Sequence, residues 1–209
     1  MAKRIVLVTL LAAAAGLAQT VDCLVAVVNG EIITLLDVQV TAEFGLGQTK
    51  AFEAGKDPKL DALDALIDRK VVLDLAREAR GVEANELAAA VDDLRRGLGE
   101  DVFAAKLGTF GFVARDLEPY LADRILYERA LTTRFSQTIP VAVTEAERYY
   151  RDIYSPEQTR LGLEAEPFER VAELIESRIR DERRTQQIGE WVRDLRRRAD
   201  IRLKKGCLQ

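Results

Sequence analysis

The chain has 209 residues, with 31 basic and 35 acidic side chains, two Cys, one Trp, one Met and no His. Without His there is no Ser-His-Asp or Cys-His nucleophile pair, no His-ligated zinc and no imidazole acid or base working near neutral pH, and two Cys alone complete neither a zinc nor an iron–sulfur site. A formal charge of −4 with 48% hydrophobic residues describes one domain or two small ones, with enough apolar material for a proper core and no global attraction to nucleic acid.

Lys3-Arg4, the apolar run Ile5 to Ala15 and then Gly16-Leu17-Ala18-Gln19 have the order of a secretory signal peptide, so residues 1–18 are expected to be removed after Ala18. An uncleaved anchor is the alternative, although the apolar run falls short of the roughly 20 residues a spanning helix needs. Lipidation at Cys23 is disfavoured by the charge of Asp22 beside it. Cleavage takes Lys3 and Arg4 away from the 31 bases and leaves 29 against 35 acids, a formal −6. The destination is an oxidising compartment, expected to be the periplasm, with no stable membrane insertion once the leader is gone.

Cys23 to Val28 and Glu31 to Thr34 are apolar-rich runs joined by Asn29-Gly30, a strong hairpin signal. Thr34 and Asp37 form a capping box for a helix over 35–44, residues 45–56 read as a glycine-rich loop, and Asp57-Pro58 starts a central helix running to Arg80. In that helix Leu63, Ile67, Val71 and Leu75 stack at spacing four, and further apolar residues widen the stripe over most of the cylinder. Its acids Asp61, Asp64 and Asp68 lie on one face, and offsetting the helix dipole in water explains them better than magnesium. Helices are expected at about 85–98, 101–107 and 113–135, separated by Gly99, Gly108 and Gly111. Thr144 and Glu147 then cap a short helix to Tyr154, residues 155–166 form a polar linker, Pro167 opens a long helix to about Ala199, and 200–204 closes as a strand. The bases Arg178, Arg180, Arg183 and Arg184 are interleaved with acids, and Arg196-Arg197-Arg198 sit where the dipole favours positive charge, so neither set argues for nucleic acid. Gly45-x-Gly47-x-x-Lys50 lacks the Gly-Lys-Ser/Thr ending of a phosphate loop.

Taken in order, Val21-Asp22-Cys23-Leu24-Val25-Ala26-Val27-Val28-Asn29-Gly30-Glu31-Ile32-Ile33-Thr34, then Ala65-Leu66-Ile67-Asp68-Arg69-Lys70-Val71-Val72-Leu73, then Val143-Thr144-Glu145-Ala146-Glu147-Arg148-Tyr149-Tyr150 resemble the N-terminal domain of SurA-type periplasmic chaperones. The likeness covers 21–154, with a helix and strand of the expected kind at 167–204. Many such proteins carry a parvulin prolyl isomerase domain between the Tyr149-Tyr150 helix and the last helix. Only 155–166 lie between them here, and a domain needs at least ~50 residues. Isomerase activity is therefore not carried over.

The resemblance implies a mainly α fold: one SurA-like domain over 19–209, its N-terminal hairpin and C-terminal strand forming a small antiparallel sheet. It implies no enzyme, no cofactor and no metal, but an ATP-independent chaperone for unfolded secreted or outer-membrane polypeptides. The alternative is an envelope adaptor that binds one folded partner; a prolyl isomerase ranks below both. The expected client-binding residues are Phe44, Leu46 and Phe52 around the glycine loop, and Phe110 and Phe112 around Gly111, with ordinary core packing as the competing role for each. If the first and last strands pair antiparallel with Leu203 opposite Val27, Cys207 falls opposite Cys23, and a disulfide closes. Two unpaired thiols or an intermolecular bridge are the alternatives.

Overall fold

The structure is a computed structural model that describes residues 23–47, 57–75 and 81–207; the expected signal peptide, Phe52 and the expected end of the central helix lie outside these. The fold is mainly α with a small three-stranded antiparallel sheet in the order β2-β1-β3. Strands β1 (Leu24–Val28) and β2 (Glu31–Thr34) meet through Asn29-Gly30, whose φ angles of 49° and 89° are both left-handed, as a two-residue hairpin turn of type I′ requires. A bulge between Leu24 and Ala26 breaks the alternation of β1, and both Val25 and Ala26 turn inward to 0% exposure.

Helix α1 (Leu35–Glu43) starts at the expected capping box: the Asp37 amide donates to Thr34 Oγ1 at 3.2 Å, and the Thr34 amide donates to Asp37 Oδ2 at 2.8 Å. Asp57 caps α2 (Pro58–Leu75) by accepting from the Lys59 amide at 2.9 Å. α3 (Ala84–Leu98) and α4 (Glu100–Phe110) follow, and Gly111 ends α4 in the left-handed conformation that favours glycine. A 3₁₀ turn over Ala114–Leu117 leads into α5 (Glu118–Arg134).

Two expectations for the next stretch need correction. α6 (Val143–Tyr149) starts two residues early, with Ala142 rather than Thr144 at its N-cap and no side-chain cap bond. Thr144 therefore lies inside the first turn and cannot act as the cap. The polar linker expected over 155–166 is also shorter, because α7 (Ser155–Arg160) continues the helix. Pro156 argues for a break, since its ring collides with the carbonyl four residues back in a regular helix. The chain avoids that collision with a wider π turn over Tyr150–Tyr154, in which the Ser155 amide bonds to the Tyr150 carbonyl five residues back.

α8 (Phe168–Arg198) then runs to β3 (Ile201–Leu203). β3 pairs antiparallel with β1, but with Leu203 opposite Ala26 and Arg202 opposite Val27, one residue away from the expected register. Asn29 fixes this register: its amide donates to the Asp200 carbonyl at 2.9 Å, and its Oδ1 accepts from the Asp200 amide at 2.8 Å. Its Nδ2 reaches Asp74 Oδ2 of α2 at 2.8 Å, so one turn residue ties together hairpin, helix and last strand. The strand pairing ends near the Lys204 amide, which donates to the Val25 carbonyl at 2.7 Å, and a 3₁₀ turn over Lys205–Cys207 brings Cys207 to Cys23. The two Cys lie at disulfide distance, with Cα atoms 6.0 Å apart, held there by the turn rather than by cross-strand opposition.

Buried side chains gather in three clusters. The first joins the inner face of the sheet to α2 and is closed by Tyr127 of α5 and Val192 of α8. The second lies among the end of α1, α3, α4 and the start of α5, around Phe44, Phe103 and Leu117. The third is separate: Ala146 and Tyr154 pack on Val171, Ile175 and Ile179 in the N-terminal half of α8. Between Ile179 and Ile188 the α8 sequence holds no apolar residue, so one helix links two cores across a polar middle.

Candidate functional site

The structure draws the expected client-binding residues inward. Phe44 is 2% exposed and Leu46 0%, and both belong to the second cluster. The Phe44 ring meets Phe103 edge-on at 6.2 Å and Phe110 at 6.1 Å, and Phe112 lies tilted against Phe110 at 5.6 Å. Phe110 and Phe112 are half-buried against the same cluster. Four of the five named residues are thus brought together, but as a packed aromatic wedge and not as a groove. The loop after α1 turns back on the helix, with the Leu46 amide donating to the Thr41 carbonyl at 2.9 Å, so its large residues point into the protein. Phe52 lies outside the described residues.

An open apolar groove lies elsewhere, where the C-terminal end of α2 meets α5 and α8. It encloses about 490 Å³, its floor formed by Val72, Leu126, Ala130 and Trp191 and one edge by Leu75, which is 65% exposed. Its rim is polar: Arg129 bonds to Glu86 Oε1 at 2.9 Å, Thr133 stands beside it, and the Arg134 guanidinium lies 4.9 Å from the centre of the Trp191 ring. Phe135 meets Trp191 edge-on at 5.6 Å and holds the indole in place. An apolar floor with a polar rim suits reversible contact with apolar side chains. The sequence held a signal for it: the apolar stripe of α2 is wider than one packing face, and the surplus at its last turn is what the groove displays.

Arg69 of α2 was also hidden by the stripe. Its position, four after Ala65 and seven after Ala62, lies on the buried face, and it is 3% exposed. Nη2 donates to the Leu46 carbonyl at 2.5 Å, while Nε and Nη1 have no acceptor among the described residues. Burial holds this guanidinium below its ordinary pKa, with the charge of Asp123 opposing the fall. Beside it the Tyr127 hydroxyl is pushed up to about 12, chiefly by burial and then by the charge of Asp68.

The basic residues are largely paired. Arg196 joins Asp64 at 2.8 Å and Asp68 at 3.0 Å, so two of the α2 acids face a cation from α8 as well as the helix dipole, a partner the sequence did not reveal. Arg178 pairs with Glu157, Arg180 with Glu176, Arg183 with Glu145, Arg184 with Asp181, and both Arg197 and Arg198 with Asp194. These pairs leave no continuous cationic face along α8 for a phosphate backbone to follow. Among known proteins, no family model matches the chain and no curated protein matches it.

Proposed function

We propose that the mature chain is an ATP-independent periplasmic chaperone that holds unfolded secreted or outer-membrane polypeptides, without isomerase or other enzymatic activity. The observation that carries this reading is the groove between α2, α5 and α8, where Leu75 and Trp191 offer apolar surface inside a polar rim. The likeness of residues 21–154 to the SurA-type module supports it, as does a Cys pair at disulfide distance, which fits an oxidising compartment. Among the described residues no helix is long and apolar enough to cross a membrane. Physically the activity needs only weak, repeated apolar contacts, because binding the unfolded chain competes with its aggregation by mass action.

The test is light scattering from an unfolded outer-membrane protein diluted with and without the mature chain. The chain is expected to suppress aggregation at several-fold excess, and Leu75→Asp, at an exposed position, to lose most of that suppression while keeping the helical circular dichroism spectrum. No suppression by the parent chain rejects the chaperone. Capture of a single stoichiometric folded partner, with no unfolded clients, favours the adaptor.

A further inference from the structure

The groove between α2, α5 and α8 has a rim of one sign. Among the described residues its charged lining is Arg129 and Arg134, two cations with no acid between them. Arg129 is engaged by Glu86 at 2.9 Å. Arg134 is exposed and enters no ion pair among the described residues, yet it is held in place: its guanidinium lies 4.9 Å from the centre of the Trp191 ring and 5.8 Å from that of Phe135. A guanidinium resting on an aromatic face keeps its N–H edge free for a carboxylate, and it has less freedom to lose on pairing than one that swings in water.

The spacing along α5 places this cation against the apolar floor. Leu126, Ala130 and Arg134 follow one another four residues apart and so lie in one row, and the small Ala130 side chain leaves the hollow that Val72 and Trp191 border. An apolar side chain seated over Ala130 stands one helical turn, ~5.4 Å, from the level of Arg134. An extended chain advances about 3.3–3.6 Å per residue, so a side chain one or two residues further along reaches the guanidinium.

We propose that the groove selects extended segments in which an acidic side chain lies one or two residues from the apolar anchor, with Arg134 as the residue that determines this preference. The inference rests on the chaperone reading in one respect, that the occupant is an unfolded polypeptide. The formal −6 expected of the chain without residues 1–18 repels acidic segments at long range, but at physiological ionic strength charges more than ~8 Å apart are largely screened, so the cation at the rim prevails. An ion pair at an exposed rim adds up to ~5-fold in affinity, enough to sort clients without holding them tightly.

Trp191 is the only Trp of the chain, so its fluorescence reports occupancy of the groove directly. The test titrates the mature chain with acetylated, amidated Gly-Ser-Leu-Leu-X-Ser-Gly, where X is Glu, Gln or Lys. The Glu peptide is expected to bind about 3–5-fold more tightly than the Gln peptide and the Lys peptide more weakly than either, with the differences shrinking in about 0.5 M NaCl. Arg134→Gln should bring the Glu peptide to the affinity of the Gln peptide, and Arg134→Lys should keep the preference. Equal affinities for the Glu and Gln peptides, a preference unchanged in Arg134→Gln, or no Trp191 response to any peptide at millimolar concentration overturns the proposal. Light scattering by the parent chain is scored separately: suppression of aggregation without a Glu preference rejects this proposal and keeps the chaperone, whereas a Glu preference without suppression supports the proposal and rejects the chaperone.

Discussion

The two ends of α8 close two cores by different means. At its C-terminal end Ile188, Trp191, Val192 and Leu195 pack on the sheet cluster, Arg196 pairs with Asp64 and Asp68, and the chain goes on into β3 and the Cys23–Cys207 contact. The ion pairs with α2 and the Cys contact join residues more than a hundred positions apart. At its N-terminal end Val171, Ile175 and Ile179 meet residues of the preceding segment 141–168, and the polar ties span 21 to 43 positions: Tyr149 Oη to Glu182 at 2.8 Å, Arg178 to Glu157 at 3.0 Å, and Arg183 to Glu145 and to the Pro140 carbonyl at 2.9 Å. One helix thus belongs to a core that needs both chain ends and to another built from a single hairpin-like segment. The first is expected to set global stability, and the second to open locally below it.

Removing α8 and β3 should have the largest effect. A fragment of residues 19–154 loses Val192 and its neighbours from the sheet cluster and leaves α2 uncovered, and it is expected to lack a cooperative thermal transition and to bind a hydrophobic dye. A fragment that melts cooperatively at the full-length temperature would show that the body does not need α8.

Next in size is the Cys pair, which is expected to be a disulfide in the chain purified without reductant, detected as loss of two hydrogens in non-reducing mass analysis. Closing a loop with a sequence separation of 184 stabilises by up to ~5 kcal/mol on the chain-entropy model, so Cys23→Ala with Cys207→Ala should lower the global transition. Two free thiols on the folded protein would remove this term from the comparison.

Ile175→Ala, at 0% exposure, should cost about 2–5 kcal/mol, and hydrogen exchange should show where. Protection is expected to fall across α6, α7 and the first half of α8 while β1 and α2 keep theirs. Equal loss in both regions would mean that the two cores unfold as one.

The smallest effect concerns Tyr127 in the sheet cluster. Its folded pKa of about 12 lies above the ordinary 10.0, so the folded state holds the phenolic proton more tightly. That contribution is fully present below pH 10 and is lost as pH rises towards 12. Tyr127→Phe should flatten the alkaline decline of stability, and an unchanged pH dependence would place the cause elsewhere.

Much of the fold was legible in the sequence because its signals are local. Asn29-Gly30 requires a two-residue turn, Thr34 and Asp37 cap a helix whatever lies around them, and the spacing of Leu63, Ile67 and Val71 specifies a buried face. The failures involve either competition between neighbouring residues or distant partners. Thr144 is a good cap residue, yet a start at Val143 lets Ala146 reach the third cluster and Glu145 reach Arg183. The linker expected from Ser155 is instead helix at its start, because a π turn lets the chain pass Pro156. The register of β3 depends on Asn29 gripping Asp200, which no pattern within β3 encodes. The large residues beside glycines at 44–46 and 110–112 were expected where the chain is least packed because glycine marks loops, but these loops fold back, burying Phe44 and Leu46 and half-burying Phe110 and Phe112. Arg69 occupies an apolar-stripe position, and only the packing around it shows that the guanidinium is buried with a single hydrogen bond, to the Leu46 carbonyl, among the described residues.

The polar stretch between Ile179 and Ile188 has a mechanical consequence. From Ile188 to Phe168 the helix spans ~30 Å, so a bend of about 10° in that stretch swings the far end by about 5 Å. No apolar contact within the stretch resists such a bend; its resistance comes from the backbone hydrogen bonds of α8 and from ion pairs along its surface such as Arg184 with Asp181. The separation of the two cores is therefore governed by the stiffness of a single rod, and a substitution such as Gln187→Gly or Gln187→Pro would change how far the small lobe travels without touching either core.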